Sequence, residues 1–510
     1  MLSSTIEESW IWATVACCLV TFLVRNALWP TILDSEEPPI LRPKIPLIGH
    51  LIDLIRLGYK QNVKNHEKFN MLAYSLPILG GNLYVASSPQ LASSIFQKRT
   101  LSFEPLIDRF VRTLVGMEGH GMELWTNPAF RTAIFKVLYK GLTGPSLNEL
   151  TKSAVSHLAT SLNKMPLDQR ESIDFHCWTR ETLSKTIMGG FYGKLSPWED
   201  PMVMRSFWIY HDDMHKLFPG IAPSVIASKA YKARTKVIEA LEAYIRSEKD
   251  FGAEVAQFTR DRFSAERTFE MSIHNSAKIE ILLATALANV STLVFWLLSN
   301  IYSQPELLAK IREELINAAV TGESPNKGEE VQMTLHLGKI KEHCPLLLSC
   351  AQETERHYIV DNIVRTVMSD TTISDGNRSY LLRKGNNVQM PLSILHNDAR
   401  VWGANPESWK GDRFLNMGYN AASPPGFLPF GGGKHICPGR HLANGLLLNN
   451  AAQLLLSIDL ESTDGGTIQV PEAQVPWSTT GIGRPEHGPE SRVKISRRKD
   501  WEHVKWSVVY

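Results

Sequence analysis

Cysteine is scarce: the 510-residue chain has six, at positions 17, 18, 177, 344, 350 and 437. They are too few and too scattered for a disulfide framework, which points to a reducing compartment. No Cys-x-x-Cys pair occurs, which argues against a four-thiolate zinc site. An excess of one charge is missing too. The formal net charge is +2, so nothing suggests a nucleic-acid partner. Low-complexity tracts, disorder-prone composition and internal repeats are absent. No Gly-x-Gly-x-x-Gly dinucleotide fingerprint occurs, so the chain carries no electron-supplying cofactor domain of that kind. Length allows two to four average domains, or one large α-rich domain with a helical anchor.

Two long apolar runs are present. Trp10 to Trp29 matches the roughly 20 residues of a bilayer helix. Glu7 and Glu8 precede it; Arg25, Arg42 and Lys44 follow. The positive-inside rule then puts the bulk of the chain in the cytosol. A cleaved signal peptide fits less well, because the n-region is acidic and no small-x-small site precedes the prolines. The expected organisation is an anchor over 1–30, a proline-rich hinge over 31–50 and one large domain over 51–510. The hinge expectation rests on Pro38, Pro39, Pro43 and Pro46, which make a stiff extended segment. The second run, Ile281 to Ser303, carries no formal charge. It reads either as a second span or as the central helix of a large core.

Shorter signals fill in the rest. Leu83–Ala86 reads as a β run, Leu346 to Tyr358 as a helix, and Ile363 to Gln389 as short strands and turns. Thr321 to Glu330 reads as a surface loop. Val493 and Ile495 alternate with charged residues, as in an edge strand. Leu217 to Pro223 is an apolar interruption between two helical stretches, either a buried turn or a surface that dips into a bilayer. Asn377-Arg378-Ser379 is a glycosylation sequon, expected to stay unmodified if this part is cytosolic.

The stretch from Phe430 to Arg440, FGGGKHICPGR, places one cysteine at the end of a glycine run. Glycines let other groups approach the backbone closely and turn N–H groups toward a sulfur. A single axial thiolate on a haem iron suits such a loop; an ordinary buried cysteine is the alternative. The spacing Phe430, Gly433, His435, Cys437, Gly439 resembles the haem-binding signature of the cytochrome P-450 family. The resemblance implies Cys437 as proximal iron ligand, Phe430 beside the sulfur, and His435, where most members have Arg, toward a haem propionate.

Further segments carry the same resemblance. Glu353 and Arg356 share one helix face and match the family's E-x-x-R. Trp409 to Phe414 matches the segment supplying a second arginine, Arg413, so a buried charged triad behind the Cys loop is implied. Arg365 matches a propionate-binding arginine, the alternative being a solvated strand end. Arg131, with Trp125, is the nearest match to an early-helix propionate partner, at irregular spacing. On the long apolar run, Ala288 to Thr292 matches the distal-helix motif with Ser291 in place of the usual acid. Thr292 and Ser291 are thus the candidate catalytic residues, Thr292 ordering a water on the oxygen side. The alternative for the two hydroxyls is a helix kink by back-bonding. Asn289, Phe295-Trp296, and the stretch from Arg365 through Lys384-Gly385 to His396 and Asp398 resemble the branch of sterol 7α-hydroxylase and prostacyclin synthase.

The resemblance implies a mainly α cytochrome P-450 fold with small sheets. It implies a haem-thiolate monooxygenase on an endoplasmic reticulum membrane, fed by a separate NADPH-dependent reductase. Lys434 and Arg440 either meet that partner or are simply solvated. The substrate expected is a sizeable hydrophobic molecule, a terpenoid, steroid or other secondary metabolite. Phe103 to Phe110, Ala288, Thr292, Val367, Met368 and Ser478 to Ile482 are the candidate lining. A peroxide isomerase or dehydratase needing no reductase, and a non-catalytic haem sensor, are the rival readings.

Overall fold

The structure, a computed structural model, describes residues 12, 14–21, 36–43, 48–166, 172–323, 329–417, 424–474, 481–486 and 488–510. Strands β1 (Ala73–Ile78) and β2 (Gly81–Ala86) are followed by helix α1 (Pro89–Gln97), strand β3 (Leu101–Ser102) and helix α2 (Glu104–Thr113). A long helical stretch follows: α3 (Pro128–Gly141), α4 (Gly144–Asn163), α5 (Phe175–Tyr192), α6 (Pro201–Asp213), α7 (Ser228–Arg246), α8 (Gln257–Thr268) and α9 (Ile273–Tyr302). Then come α10 (Pro345–Tyr358), β4 (Asn362–Val367), β5 (Asn387–Pro391), α11 (Arg440–Ser457), β6 (Ile458–Ser462) and β7 (Arg492–Arg497). Shorter helices and strands connect these.

Helices α4, α5, α9 and α11 pack on one another and form the centre. The reason is compositional. The second halves of α9 and α11 are mostly apolar with few uncharged polar residues, and such helices are stable inside protein. All residues from Val290 to Tyr302 are buried. Ser272 caps α9 by accepting the Asn275 N–H at 3.3 Å. Among the described residues, α9 is the one helix long and apolar enough to cross a membrane, and 78% of its apolar window is buried in protein. It is a core helix, and the second-span reading falls. Of Trp10 to Trp29, residues 12 and 14–21 are described; they are helical and exposed.

One five-stranded sheet flanks the bundle, in the order β1-β2-β5-β4-β3. β5 runs parallel to β2 and antiparallel to β4. The segment expected as a hinge is tied to this sheet. Leu41 N–H donates to Ser75 O at 3.0 Å, and Ser75 N–H to Pro39 O at 2.8 Å. Residues 44–47 lie outside the described part.

One sequence expectation needs correcting. Val493 and Ile495 sit on β7, which is the middle strand of a three-stranded sheet, between β6 and Ser172–Asp174, and not an edge. Alternation reports which face is buried, not how many neighbours a strand has. The loop expected over Thr321 to Glu330 joins the paired strands Val320–Thr321 and Val331–His336, and its described residues apart from Thr321 have no regular structure; residues 324–328 lie outside the described part. The helix over α10 and the strands β2, β4 and β5 lie where the sequence put them.

Candidate active site

The Cys loop leads into α11. The Cys437 N–H donates to Phe430 O at 3.0 Å and closes the loop. Gly433 has φ +65°, and a Cβ there would stand 2.9 Å from Phe96 O. Glycine is therefore required both for the turn and for the approach to α1. At Gly439 a Cβ would lie 3.8 Å from Cys437 Sγ, so this backbone passes close beside the sulfur. Burial pushes the Cys437 thiol up; the Gly439 and Arg440 N–H groups and the Arg440 charge draw it down. Those N–H groups belong to the start of α11, where the helix dipole favours negative charge. Phe430 is half-buried. Arg440 folds back and donates to Cys437 O at 3.1 Å, while Lys434 is exposed, 3.9 Å from Glu104.

Two nitrogen bases flank this loop. His435 Nε2 accepts the Phe103 N–H at 3.3 Å, so Nδ1 carries the proton and is free to donate. Burial, with Arg365 and Lys434 nearby, lowers His435 to about 4, so the ring is neutral. Arg365, on β4, is only 4% exposed. It donates to Val364 O at 2.9 Å and Gly432 O at 3.0 Å. Phe96 and Phe103 stack near its guanidinium. Among the described residues no carboxylate pairs with it, and burial alone lowers it to about 10. A buried guanidinium without a counter-charge is costly. The carboxylates of a haem would supply that charge, with Cys437 as the thiolate. The residues present fit the group.

Arg131 is placed differently. It pairs with Asp108 and lies 3.7 Å from Glu104. The Trp125 indole N–H donates to the same Asp108 at 3.0 Å. Its charge is thus met by protein carboxylates, unlike that of Arg365.

Behind the loop, Glu353, Arg356 and Arg413 meet. Arg356 Nε and Nη2 donate to the two Glu353 oxygens at 2.7 and 2.8 Å, and Arg413 Nε donates to Oε1 at 2.9 Å. Arg413 also donates to Trp402 O and Ser408 O. His396 joins this cluster to the Cys loop, a function the sequence did not disclose. Its Nδ1 faces Arg356 O at 2.9 Å, and its Nε2 accepts the Leu428 N–H at 3.2 Å. Leu428 stands two residues before Phe430. Burial and Arg356 hold His396 at about 3, neutral and fixed in one tautomer. The sequence marked His396 only as part of a stretch resembling the sterol 7α-hydroxylase branch, without a role of its own.

On α9 the two candidate hydroxyls separate. Ser291 is fully buried and donates back to Ala288 O at 2.7 Å. That is the back-bonding alternative, and it engages the Ser291 proton in the helix. Thr292 is 7% exposed, and its hydroxyl has no partner among the described residues. Asn289 is half-exposed within an otherwise buried stretch, and its amide has no partner among the described residues. Ala288 and Val367 are buried, whereas Met368 is 47% exposed. Phe103 and Phe110 stack edge-on at 6.2 Å. Ile482 bridges to Ile359; Ser478 to residue 480 lie outside the described part.

The comparisons converge. The family model described as Cytochrome P-450 matches residues 38–480. A cytochrome P-450 monooxygenase of Gibberella zeae is 26% identical over 504 residues, covering 97% of this chain and 95% of its own. The 25-hydroxycholesterol 7-alpha-hydroxylase of Rattus norvegicus is 26% identical over 310 residues, 58% of this chain and 72% of its own. Among solved structures, the heme domain of cytochrome P450DA superposes with a TM-score of 0.68 at 16% identity, over 91% of this chain and 99% of that one.

Proposed function

The chain belongs to the cytochrome P-450 family of haem-thiolate oxidoreductases, and from that premise we propose that it is a membrane-bound monooxygenase of a hydrophobic secondary metabolite such as a terpenoid or steroid. The observation that carries this reading is the presence on one loop region of Cys437, just before α11, and of Arg365, a buried guanidinium bonded to Gly432 O with no carboxylate partner among the described residues. A bound haem would supply the dioxygen-activating chemistry, with Cys437 as the thiolate that favours O–O cleavage.

The chain's own residues set the conditions. Cys437 supplies the thiolate, held by the Gly439 and Arg440 N–H groups. Arg365 and the Nδ1–H of His435 hold the propionates. Glu353, Arg356, Arg413 and His396 keep the loop in register and take no part in the chemistry. Thr292 positions a water and delivers a proton on the distal side. Ser291 stays tied to the α9 backbone instead of relaying a proton, because its hydrogen already bonds Ala288 O.

Electrons come from a separate NADPH-dependent reductase, with Lys434 on the exposed proximal surface. The anchor is Trp10 to Trp29, in the endoplasmic reticulum membrane with the catalytic domain cytosolic. A second contact is the connection between α6 and α7, where Leu217 is buried but Ile221, Val225 and Ile226 are 67, 76 and 64% exposed. The test is turnover of a panel of hydrophobic substrates with NADPH and reductase, against turnover of a hydroperoxide alone. Product that depends on NADPH supports the reading. Product from the hydroperoxide with no NADPH requirement gives an isomerase or dehydratase. No product from either gives a sensor.

A further inference from the structure

A cavity of about 1010 Å³ opens beneath the connection between α6 and α7. Its walls come from α2, the loop after α2, α7 and the first turns of α9. Four cations line it: Arg109, Arg112, Arg234 and Lys278. Arg234 is 7% exposed, and its Nη1 donates only to the carbonyls of Thr113 and Leu114, at 3.1 and 3.0 Å. Lys278 donates to Gly116 O at 2.7 Å. Gly116 has φ +72°, and a Cβ there would lie 2.9 Å from Arg234 Nη2. The loop thus accommodates a guanidinium that no side chain at 116 would admit.

Neither Arg234 nor Lys278 has a carboxylate partner among the described residues. Of the carboxylates on the cavity wall, Glu242 is engaged by His274 at 2.6 Å and Arg246 at 2.9 Å. Glu118 and Glu239 are exposed. Arg109 lies over the Phe218 ring at 4.4 Å, and Arg112 is exposed with no partner among the described residues. Burial lowers both Arg234 and Lys278 from their ordinary values even against the opposing charge of exposed Glu118, and such cations gain from a further anion.

The cavity is continuous in sequence with a stripe on α9. Lys278, Leu282, Ala286 and Asn289 follow at spacings of four, four and three, so they share one face. Each is half-exposed or exposed, although α9 is otherwise mostly buried here. Eleven residues of helix cover roughly 16 Å. An apolar body lying on Leu282 and Ala286 would therefore reach Asn289, three residues before Thr292, when its head is at Lys278.

We propose that this cavity binds the carboxylate of an amphiphilic acid through Arg234, Lys278 and Arg112, so that the substrate is an apolar carboxylic acid presented for oxidation at its end remote from the acid group. The proposal rests on the monooxygenase reading for the word substrate, but the binding site does not.

The test uses the haem-loaded full chain in detergent. Isothermal titration measures binding of a straight-chain, a diterpenoid and a steroid carboxylic acid, each beside its methyl ester. At least one acid is expected to bind tenfold or more tightly than its ester. That ratio should fall toward one in Arg234→Gln and Lys278→Gln, and severalfold in the exposed variant Arg112→Gln, which cannot fail by misfolding of the core. Esters that bind as tightly as acids, or a preference that survives in Lys278→Gln and Arg112→Gln, would overturn it. Acid preference without NADPH-dependent product would leave the site standing and remove the monooxygenase reading. Anionic phospholipid vesicles that bind through the same three residues while the acids do not would assign the cavity to a lipid head and contradict the proposal.

Discussion

Thr292 and Ser291 are adjacent, yet their surroundings assign them different work. Thr292 has an uncommitted hydroxyl, and Ser291 donates to Ala288 O. Thr292→Ala should uncouple the enzyme: NADPH consumption persists, product falls by about 10²–10⁴-fold as expected for a lost proton donor, and hydrogen peroxide rises. Ser291→Ala should leave coupling within a few fold of the parent. Equal coupling in Thr292→Ala and the parent would reduce Thr292 to a helix-shaping residue. The sequence singled out both hydroxyls because the motif spacing is local; it could not rank them, because the rank depends on where each proton points. His396 shows the same limit. It joins Arg356 to Leu428 across 40 and 32 residues of sequence, and no local pattern encodes that link. His396→Leu should fold but hold the Cys loop loosely, and the reduced carbon-monoxide complex should convert to a blue-shifted form within hours of storage. His396→Gln, which keeps a donor and an acceptor, should convert more slowly.

Helix α10 shows how one element combines support and cost. Its C-terminal turns carry the Glu353–Arg356 pair, both fully buried. Breaking such a pair costs about 3–5 kcal/mol, because the remaining charge stays buried, so Glu353→Gln should lose most of its haem content on expression. Glu355 sits between them in sequence but has no such partner. It is buried, one of its oxygens makes no hydrogen bond, and burial raises it to about 8. The raised value means that its stability contribution is full below the unfolded value and is lost as pH rises through about 8. Glu355→Gln should therefore raise the melting temperature more at pH 8 than at pH 5; an equal shift at both would contradict the assignment. The helix, its E-x-x-R face and the strands around Arg365 were legible because apolar spacing and motif spacing are short-range. The central place of β7 was not, since its neighbours are drawn from residues 172–174 and 458–462.

At the scale of the whole molecule, the fold is built on the packed helices α4, α5, α9 and α11. Arg365 reaches Gly432 O of the Cys loop, His435 holds the Phe103 N–H, and His396 ties the triad to Leu428. The chain's relation to a membrane yields a separate prediction. Asn377 is exposed on a tight connection between Thr371–Ser374 and Ser379–Leu382, so only topology keeps its sequon unmodified. Mass spectrometry of the protein from a eukaryotic host should find no glycan there, and a glycan would reverse the proposed orientation. Without its first 30 residues the protein should still sediment with liposomes through Ile221, Val225 and Ile226. Full solubility without salt or detergent would remove that second contact. The central claim is the thiolate at Cys437, and the reduced carbon-monoxide spectrum tests it most directly. The parent should show the strongly red-shifted Soret band of a thiolate-ligated haem, and Cys437→Ala should lose it. A Cys437→Ala protein that keeps the band would contradict the account at its base.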